Sequence, residues 1–302
     1  MPELRVDGLT GEQVILAPAR ALRPDTFRVS AEPAPARDDS CPFCSGNEHE
    51  TPPEVARIGP GRADGPGWRV RVVPNKYPIV GEGVGGAHEV VVLAAHNADI
   101  AAIGAEAATE VFTALRDRAR FHIAAGCAYA QPFVNHGRGA GASIAHPHAQ
   151  LVALDTVPPR VADVGARFAS SERDLVVEDR RSGAAVCEHA GAAVWCPAAS
   201  RSPFFMRAAL LEAQPRFEET DDDGVRRITH TLQDALARMH AVLDQPDYNL
   251  VVRTAAHDSR APFHWWVDIV PRLTTTAGFE MGTGLRVNIV APLDAAAALR
   301  TA

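Results

Sequence analysis

His146-Pro147-His148-Ala149-Gln150 constrains this chain more than any other stretch, because it sets two imidazoles and a carboxamide at alternate positions. In an extended segment successive side chains leave opposite faces, so all three project from the same side. A strand that gives one face to polar and titratable groups gives up core there, which marks that face as a site. One histidine can then hold a metal or a neighbour while the next acts as a nucleophile, and the amide donates to the group attacked. Two further segments strengthen the reading. They are Cys41-Pro42-Phe43-Cys44 and the loop Asn135-His136-Gly137-Arg138-Gly139-Ala140-Gly141-Ala142-Ser143 that runs into the motif.

The rest of the chain supplies an α+β frame. Strands are expected at 12–17, 68–73, 88–94, 128–134 and 146–154, with an amphipathic helix at 104–125 carrying Val111, Phe112, Leu115 and Phe121. Pro158-Pro159 ends the motif strand. Further strands at 192–196, 205–212, 248–253 and 263–270 flank a helix at 225–244. The order of strands, one helix, then strands thus occurs twice, although no residue-level repeat is visible. Two halves are expected, 1–175 and 176–302, joined through the polar, weakly patterned stretch Arg160–Ser182. Residues 30–67 are rich in Pro, Gly and charge, and need some device beyond packing to order them. Asp221-Asp222-Asp223 reads as a solvated loop, Trp265 and Trp266 as core, and Gly278–Gly284 as a turn or a sugar-hydroxyl acceptor through Glu280.

The 302 residues are 46% hydrophobic, enough for a sizeable core, and carry a net charge of -7, which argues against charge-driven nucleic-acid binding. No apolar run approaches the roughly 18 residues of a membrane helix, and Met1-Pro2-Glu3-Leu4-Arg5 lacks the layout of a signal peptide, so a soluble cytoplasmic protein is expected. Five cysteines scattered over the chain do not form a disulfide framework. Cys127, Cys187 and Cys196 read as small buried residues. Cys41 and Cys44 read as half of a zinc site, a redox pair or coincidence. The redox reading lacks the strand before and helix after that it needs. Zinc takes four N/S ligands, and His146 and His96 are candidates for the other two. The glycine-rich loop can face an anion with its backbone amides, or serve as a plain hairpin turn; it is no P-loop, since the lysine is missing. Arg20 and Arg23 can fork onto phosphates or sit in a solvated turn.

Together these pieces resemble the galactose-1-phosphate uridylyltransferase family of the histidine-triad superfamily, which includes a plant ADP-glucose phosphorylase branch. The resemblance spans nearly the whole chain. It rests on the R-x-x-R-P turn at Arg20–Pro24, Cys41–Asn47 as C-x-x-C-x-G-N, and Asn75-Lys76-Tyr77-Pro78. It rests also on His88-Glu89-Val90 with His96, on the loop and motif from Asn135 to Gln150, and on Gly278–Asn288 as the tail of the phosphorylase-like branch.

The resemblance implies two tandem histidine-triad-like halves, each a mainly antiparallel sheet with helices packed on it. The second half would serve sugar binding and dimerisation. His148 would attack the α-phosphorus of a nucleotide sugar and form a nucleotidyl-histidine, expelling sugar 1-phosphate. Gln150 and Ser143 would donate to phosphoryl oxygens. Cys41, Cys44, His96 and His146 would hold one structural zinc. Arg20, Arg23, Asn75 and Asn135 would contact phosphates or ribose, and Glu280 the hexose, in a homodimer. Trp266 and Asp268 stand where some members have a second H-x-H metal pair, so no second metal is expected. A hexose-binding glutamine is replaced near Arg286. The leading expectation is a hexose-1-phosphate uridylyltransferase of galactose metabolism. Its alternatives are an ADP-sugar or dinucleoside polyphosphate phosphorylase using inorganic phosphate, and a zinc-stabilised nucleotide-binding protein without turnover.

Overall fold

Strand β5 (Ala87–Leu93) shows how the main sheet sorts its side chains in the computed structural model, which describes residues 2–22, 40–81, 83–96 and 99–302. Glu89 points to the helix-covered face. There Arg118 donates to both its oxygens at 2.8 and 2.5 Å and His122 lies 2.8 Å away, both on helix α1 (Ala105–Ala124). His88 and Val90 alternate to the opposite face, where Val90 packs with Trp68, Val73 and Val92. Helix α1 buries Val111, Phe112, Leu115 and Ala119 at helical spacing. Phe121 departs from the expected apolar stripe. It is exposed, with the Arg118 guanidinium 4.2 Å from its ring centroid, a cation–π contact at the stripe's edge.

Ten strands form one antiparallel sheet. Their order across it is β3 (Ala56–Ile58), β4 (Val70–Pro74), β5, β7 (His148–Leu154), β6 (Tyr129–His136), β11 (Tyr248–Arg253), β12 (Trp266–Pro271), β10 (Met206–Leu210), β9 (Ala192–Cys196) and β8 (Ala184–His189). From either edge the sequence of elements is the same. Helix α1 sits between β5 and β6, helix α4 (Asp222–Leu243) between β10 and β11, and the halves meet where β6 pairs with β11. The repeat is therefore one of topology: β7 opens with His148 and its counterpart β12 opens with Trp266, followed by Asp268 where β7 has Gln150. A second sheet joins β1 (Glu3–Val6), β2 (Gln13–Leu16) and β13 (Arg286–Asn288). Among the described residues no helix is long and apolar enough to cross a membrane.

Three segments differ from the sequence expectation. The stretch 160–182 holds two helices, α2 (Pro159–Ala169) and α3 (Leu175–Ser182). Helix α2 buries only Val164 and Phe168, too sparse a stripe to read in sequence, while Asp174 caps α3 by accepting from the N–H groups of Val176 and Val177. Asp221 is not loop but the N-cap of α4, accepting from Gly224 N at 2.7 Å. Asp222 and Asp223 lie in its first turn, where carboxylates meet the positive end of the helix dipole. Gly278–Thr283 forms the short helix α5, and Pro292–Thr301 forms α6. Of the cysteines expected in the core, Cys196 is buried, whereas Cys127 and Cys187 are only partly so.

Strand β12 is buried along its whole length. Trp265 and Trp266 are core residues, and Phe168 of α2 stacks on Trp266. Charge is buried there too. Arg207 donates to Asp7 at 2.6 Å, Asp179 at 2.9 Å and Asp268 at 3.3 Å, while Arg253 reaches Asp268 at 2.9 Å. Burial alone would raise the Asp268 pKa, but Arg253, Arg201 and Arg207 hold it well below the usual carboxylate range. Asp268→Asn should therefore cost about 3–5 kcal/mol, since it leaves buried arginine charge uncompensated. A depressed carboxylate contributes its stability above its unfolded pKa and loses it as the pH falls toward the folded value. Urea unfolding should accordingly show the full deficit above about pH 4 and a shrinking one below it.

Candidate active site and metal centre

The strand register puts Val92 opposite His148 and Val90 opposite Gln150, so the motif's functional face is also the face that carries His88. His146 lies just before β7. Its Nε2–H donates to the Leu93 carbonyl at 2.6 Å, which turns Nδ1 toward the Cys41–Cys44 knuckle. Cys41 Sγ is 3.6 Å and Cys44 Sγ 3.8 Å from that nitrogen. His96 Nδ1 lies 3.1 Å from both Cys44 Sγ and His146 Nδ1. The four ligand atoms lie within 4.8 Å of one another. Tetrahedral zinc with N and S ligands has ligand–ligand edges of about 3.3–3.8 Å, so the set fits such an ion. Burial pushes the Cys41 thiol up and the His146 pKa down to about 4, and a cation is what lets a buried thiol give up its proton. Around the knuckle, Asn47 donates to the Cys41 carbonyl at 2.9 Å, and Glu48 accepts from Gly46 N and Trp68 Nε1. These bonds order part of the stretch that composition left irregular.

His148 is buried, and its Nδ1–H donates to the His146 carbonyl at 2.7 Å. That bond fixes the tautomer and leaves the Nε2 lone pair free. Burial lowers its pKa, so the ring stays neutral near pH 7. Phe43, between the two cysteines, packs edge-on against both His146 and His148 with ring centroids 5.9 and 5.4 Å away. It ties the Cys41–Cys44 knuckle to both motif histidines, a role with no signature in sequence.

The glycine-rich loop is held from the second half of the chain. Gly139 N donates to Asp247 Oδ2 at 2.5 Å, and Asn249 Nδ2 donates to Asn135 Oδ1 at 2.8 Å and to the Ala140 carbonyl at 2.9 Å. Gly137 has φ +80°, and a Cβ there would lie 1.7 Å from Asp247 Oδ1, so only glycine fits. Asn135 and His148 line one small cavity, and Ser143 is exposed on the loop that borders it. Asn75 reaches Gln150 through His88, its Nδ2 lying 3.2 Å and Gln150 Oε1 2.9 Å from His88 Nε2.

Two predicted contacts make no bond to this cluster among the described residues. Arg20 is exposed in the turn after β2. Glu280, on α5, accepts from Ala277 N at 3.0 Å and Val287 N at 3.2 Å. Neither forms a hydrogen bond or ion pair with the histidine motif within the chain. Arg23 lies outside the described residues. At the position of the second H-x-H pair, Trp266 Nε1 donates to Asp268 at 2.8 Å, and the carboxylate is taken up by arginines.

No family model matches the chain. An ADP-glucose phosphorylase of Arabidopsis thaliana is 31% identical over 99% of this chain and 92% of its own length. The chain belongs to the galactose-1-phosphate uridylyltransferase family of the histidine-triad superfamily. The structure of an Arabidopsis thaliana ADP-glucose phosphorylase with bound ADP-glucose superposes with a TM-score of 0.89 at 30% identity, over 100% of this chain and 99% of that one. A GalT-like protein from Arabidopsis thaliana gives 0.86 at 29% identity, covering 99% and 98%. A uridylyltransferase structure, 23% identical with a TM-score of 0.76 over 100% and 98%, shares the fold. The protein is thus a nucleotidyl-transferring enzyme with the α+β fold of this family.

Proposed function

We propose that the enzyme is a sugar-nucleotide phosphorylase that splits ADP-glucose with inorganic phosphate through a nucleotidyl-His148 intermediate. His148 Nε2 attacks the α-phosphorus, and the bond to the bridging oxygen breaks with its electron pair on departing glucose 1-phosphate. An oxygen of inorganic phosphate then attacks the same phosphorus, the P–N bond breaks, and ADP leaves with His148 restored. Gln150 and Ser143 donate to the non-bridging oxygens, and Asn135 and the loop amides face the phosphates. The observation that carries the mechanism is the His148 Nδ1–H bond to its own strand, which presents a neutral nucleophile. What supports ADP-glucose and phosphate over the hexose-1-phosphate uridylyltransferase reading is the full-length kinship to an ADP-glucose phosphorylase, against 23% identity to a uridylyltransferase.

In this reading Cys41, Cys44, His96 and His146 hold one zinc, which as a closed four-ligand site is structural and fixes the strand that begins at His148. Arg20 and Arg23 contact phosphates or ribose and Glu280 the hexose, in a homodimer in which the second half of one subunit completes the sugar pocket of the other. Initial rates discriminate the substrates. ADP-glucose with inorganic phosphate should turn over at least about 10-fold faster in kcat/KM than UDP-glucose with galactose 1-phosphate, a difference of roughly 1.4 kcal/mol in transition-state binding. The reverse preference returns the enzyme to the uridylyltransferases.

A further inference from the structure

We infer that His88 is a positioning residue of the nucleotidyl-transfer site, orienting the Gln150 carboxamide so that its N–H groups, not its oxygen, meet the phosphoryl group. The inference rests on the proposed mechanism and deepens it. His88 is buried in β5, on the site face, one strand away from Gln150. Its two ring nitrogens have separate duties. Nδ1 accepts from the backbone N–H of Ile79 at 3.3 Å, so the neutral ring carries its proton on Nε2. Nε2–H then donates to Gln150 Oε1 at 2.9 Å. With its oxygen engaged, Gln150 can present only its Nε2 hydrogens elsewhere, and no protein group among the described residues accepts them.

A carboxamide has two nearly isosteric orientations, and only one of them donates to a phosphoryl oxygen. Turned over, it would aim an oxygen at the negative charge that develops in the transition state. The same tautomer makes no hydrogen bond to the neighbouring carboxamide of Asn75, which is oriented by the backbone instead. Asn75 Nδ2 lies 3.2 Å from His88 Nε2, while Asn75 Oδ1 accepts from Tyr77 N at 2.9 Å. Because the Nε2 proton is committed to Gln150, the ring offers Asn75 no acceptor, and its N–H groups stay available to a ligand. The tautomer thus orients Gln150, and Tyr77 N orients Asn75. His88 touches neither phosphorus nor leaving group in this arrangement; it acts through Gln150.

The test is the burst of glucose 1-phosphate from ADP-glucose without acceptor, measured on the metal-loaded protein and normalised to metal content. His88→Phe should slow the burst roughly 10- to 100-fold with little change in the ADP-glucose concentration at half-saturation, as expected for a donor that counts mainly in the transition state. His88→Gln can place an N–H where Nε2–H was and should stay within about 5-fold of wild type, whereas His88→Asn reaches only the Nδ1 position and should resemble His88→Phe. In a Gln150→Ala background His88→Phe should add at most about 3-fold, because the interaction it serves is already gone. If His88→Phe does not fold, the Gln and Asn variants carry the comparison. Equal activity in those two, full activity in His88→Phe, or independent losses in the double variant would overturn the role of His88. A wild-type protein that releases no glucose 1-phosphate would instead overturn the nucleotidyl-transfer reading beneath it.

Discussion

His148→Gly is expected to lower phosphorolysis of ADP-glucose by at least about 10⁴-fold, because no neighbouring side chain can supply the lost nucleophile. The nearest imidazole, His146, has its Nδ1 directed at Cys41, Cys44 and His96 and its Nε2 bonded to the Leu93 carbonyl. It has no free lone pair to offer. His88 has its Nδ1 lone pair engaged by Ile79 N–H and its Nε2–H on Gln150, whose carboxamide is no nucleophile. The loss should appear in kcat and kcat/KM together, with the metal content and unfolding midpoint close to wild type. Full activity in this variant would mean direct transfer from the nucleotide sugar to phosphate, and the motif would need another explanation.

The second large effect concerns the metal. Cys44→Ser should reduce the bound zinc from about one ion per chain to a small fraction, as judged by metal analysis of the purified protein. Structural zinc contributes folding free energy outright, and losing about 5 kcal/mol of it should lower the melting temperature by roughly 10–20 °C. Activity should fall with it. His146, the proposed metal ligand, stands two residues before His148, the proposed nucleophile, and the His148 tautomer is set by the carbonyl of His146 itself. A metal-free protein that keeps the wild-type melting temperature would refute the zinc reading. His146→Gly should behave like Cys44→Ser, and His148→Gly should not, which separates the work of the two histidines.

Much of this site could be read before any coordinates, for a physical reason. Alternate polar residues on a strand mark a functional face by the core they give up, and a C-x-x-C offers half of a metal-ligand set, for which His96 and His146 are candidates that the fold brings together. The strands at 68–73, 88–94 and 248–253 were legible because β-branched runs bounded by Gly, Pro and Asp have few other uses. What stayed hidden depends on distant partners. The sequence names His88 but not its duty, since Ile79, Asn75 and Gln150 meet it only after β5 and β7 pair. Phe43 reads as a spacer until it is seen against both motif histidines. The internal repeat is legible only as an order of elements, not residue by residue, for a related reason. The face of β12 that corresponds to the catalytic face of β7 carries Trp266 and Asp268, and packing with arginines has replaced the chemistry that would have made the two strands look alike. Helices α2 and α3 were missed because each buries only two residues.

The sugar and base are the least legible part, because the groups proposed to choose them make no bond to the motif among the described residues. Glu280 spends both oxygens on backbone amides within its own chain, and Arg20 sits beyond β2. In the proposed dimer Glu280, in the second half, acts on the partner's substrate, so a single subunit does not display it as part of a pocket.

The central claim is a covalent bond between His148 and a nucleotide. The most direct measurement is the intact mass of the protein after brief incubation with ADP-glucose in the absence of phosphate. The account predicts a shift of one adenylyl group per chain, mapped to His148, stable to base and labile to acid, with an equivalent of glucose 1-phosphate in solution. Adding phosphate should remove the group and release ADP. An unmodified protein that nonetheless turns over ADP-glucose when phosphate is present, or an adduct on any residue other than His148, would contradict it.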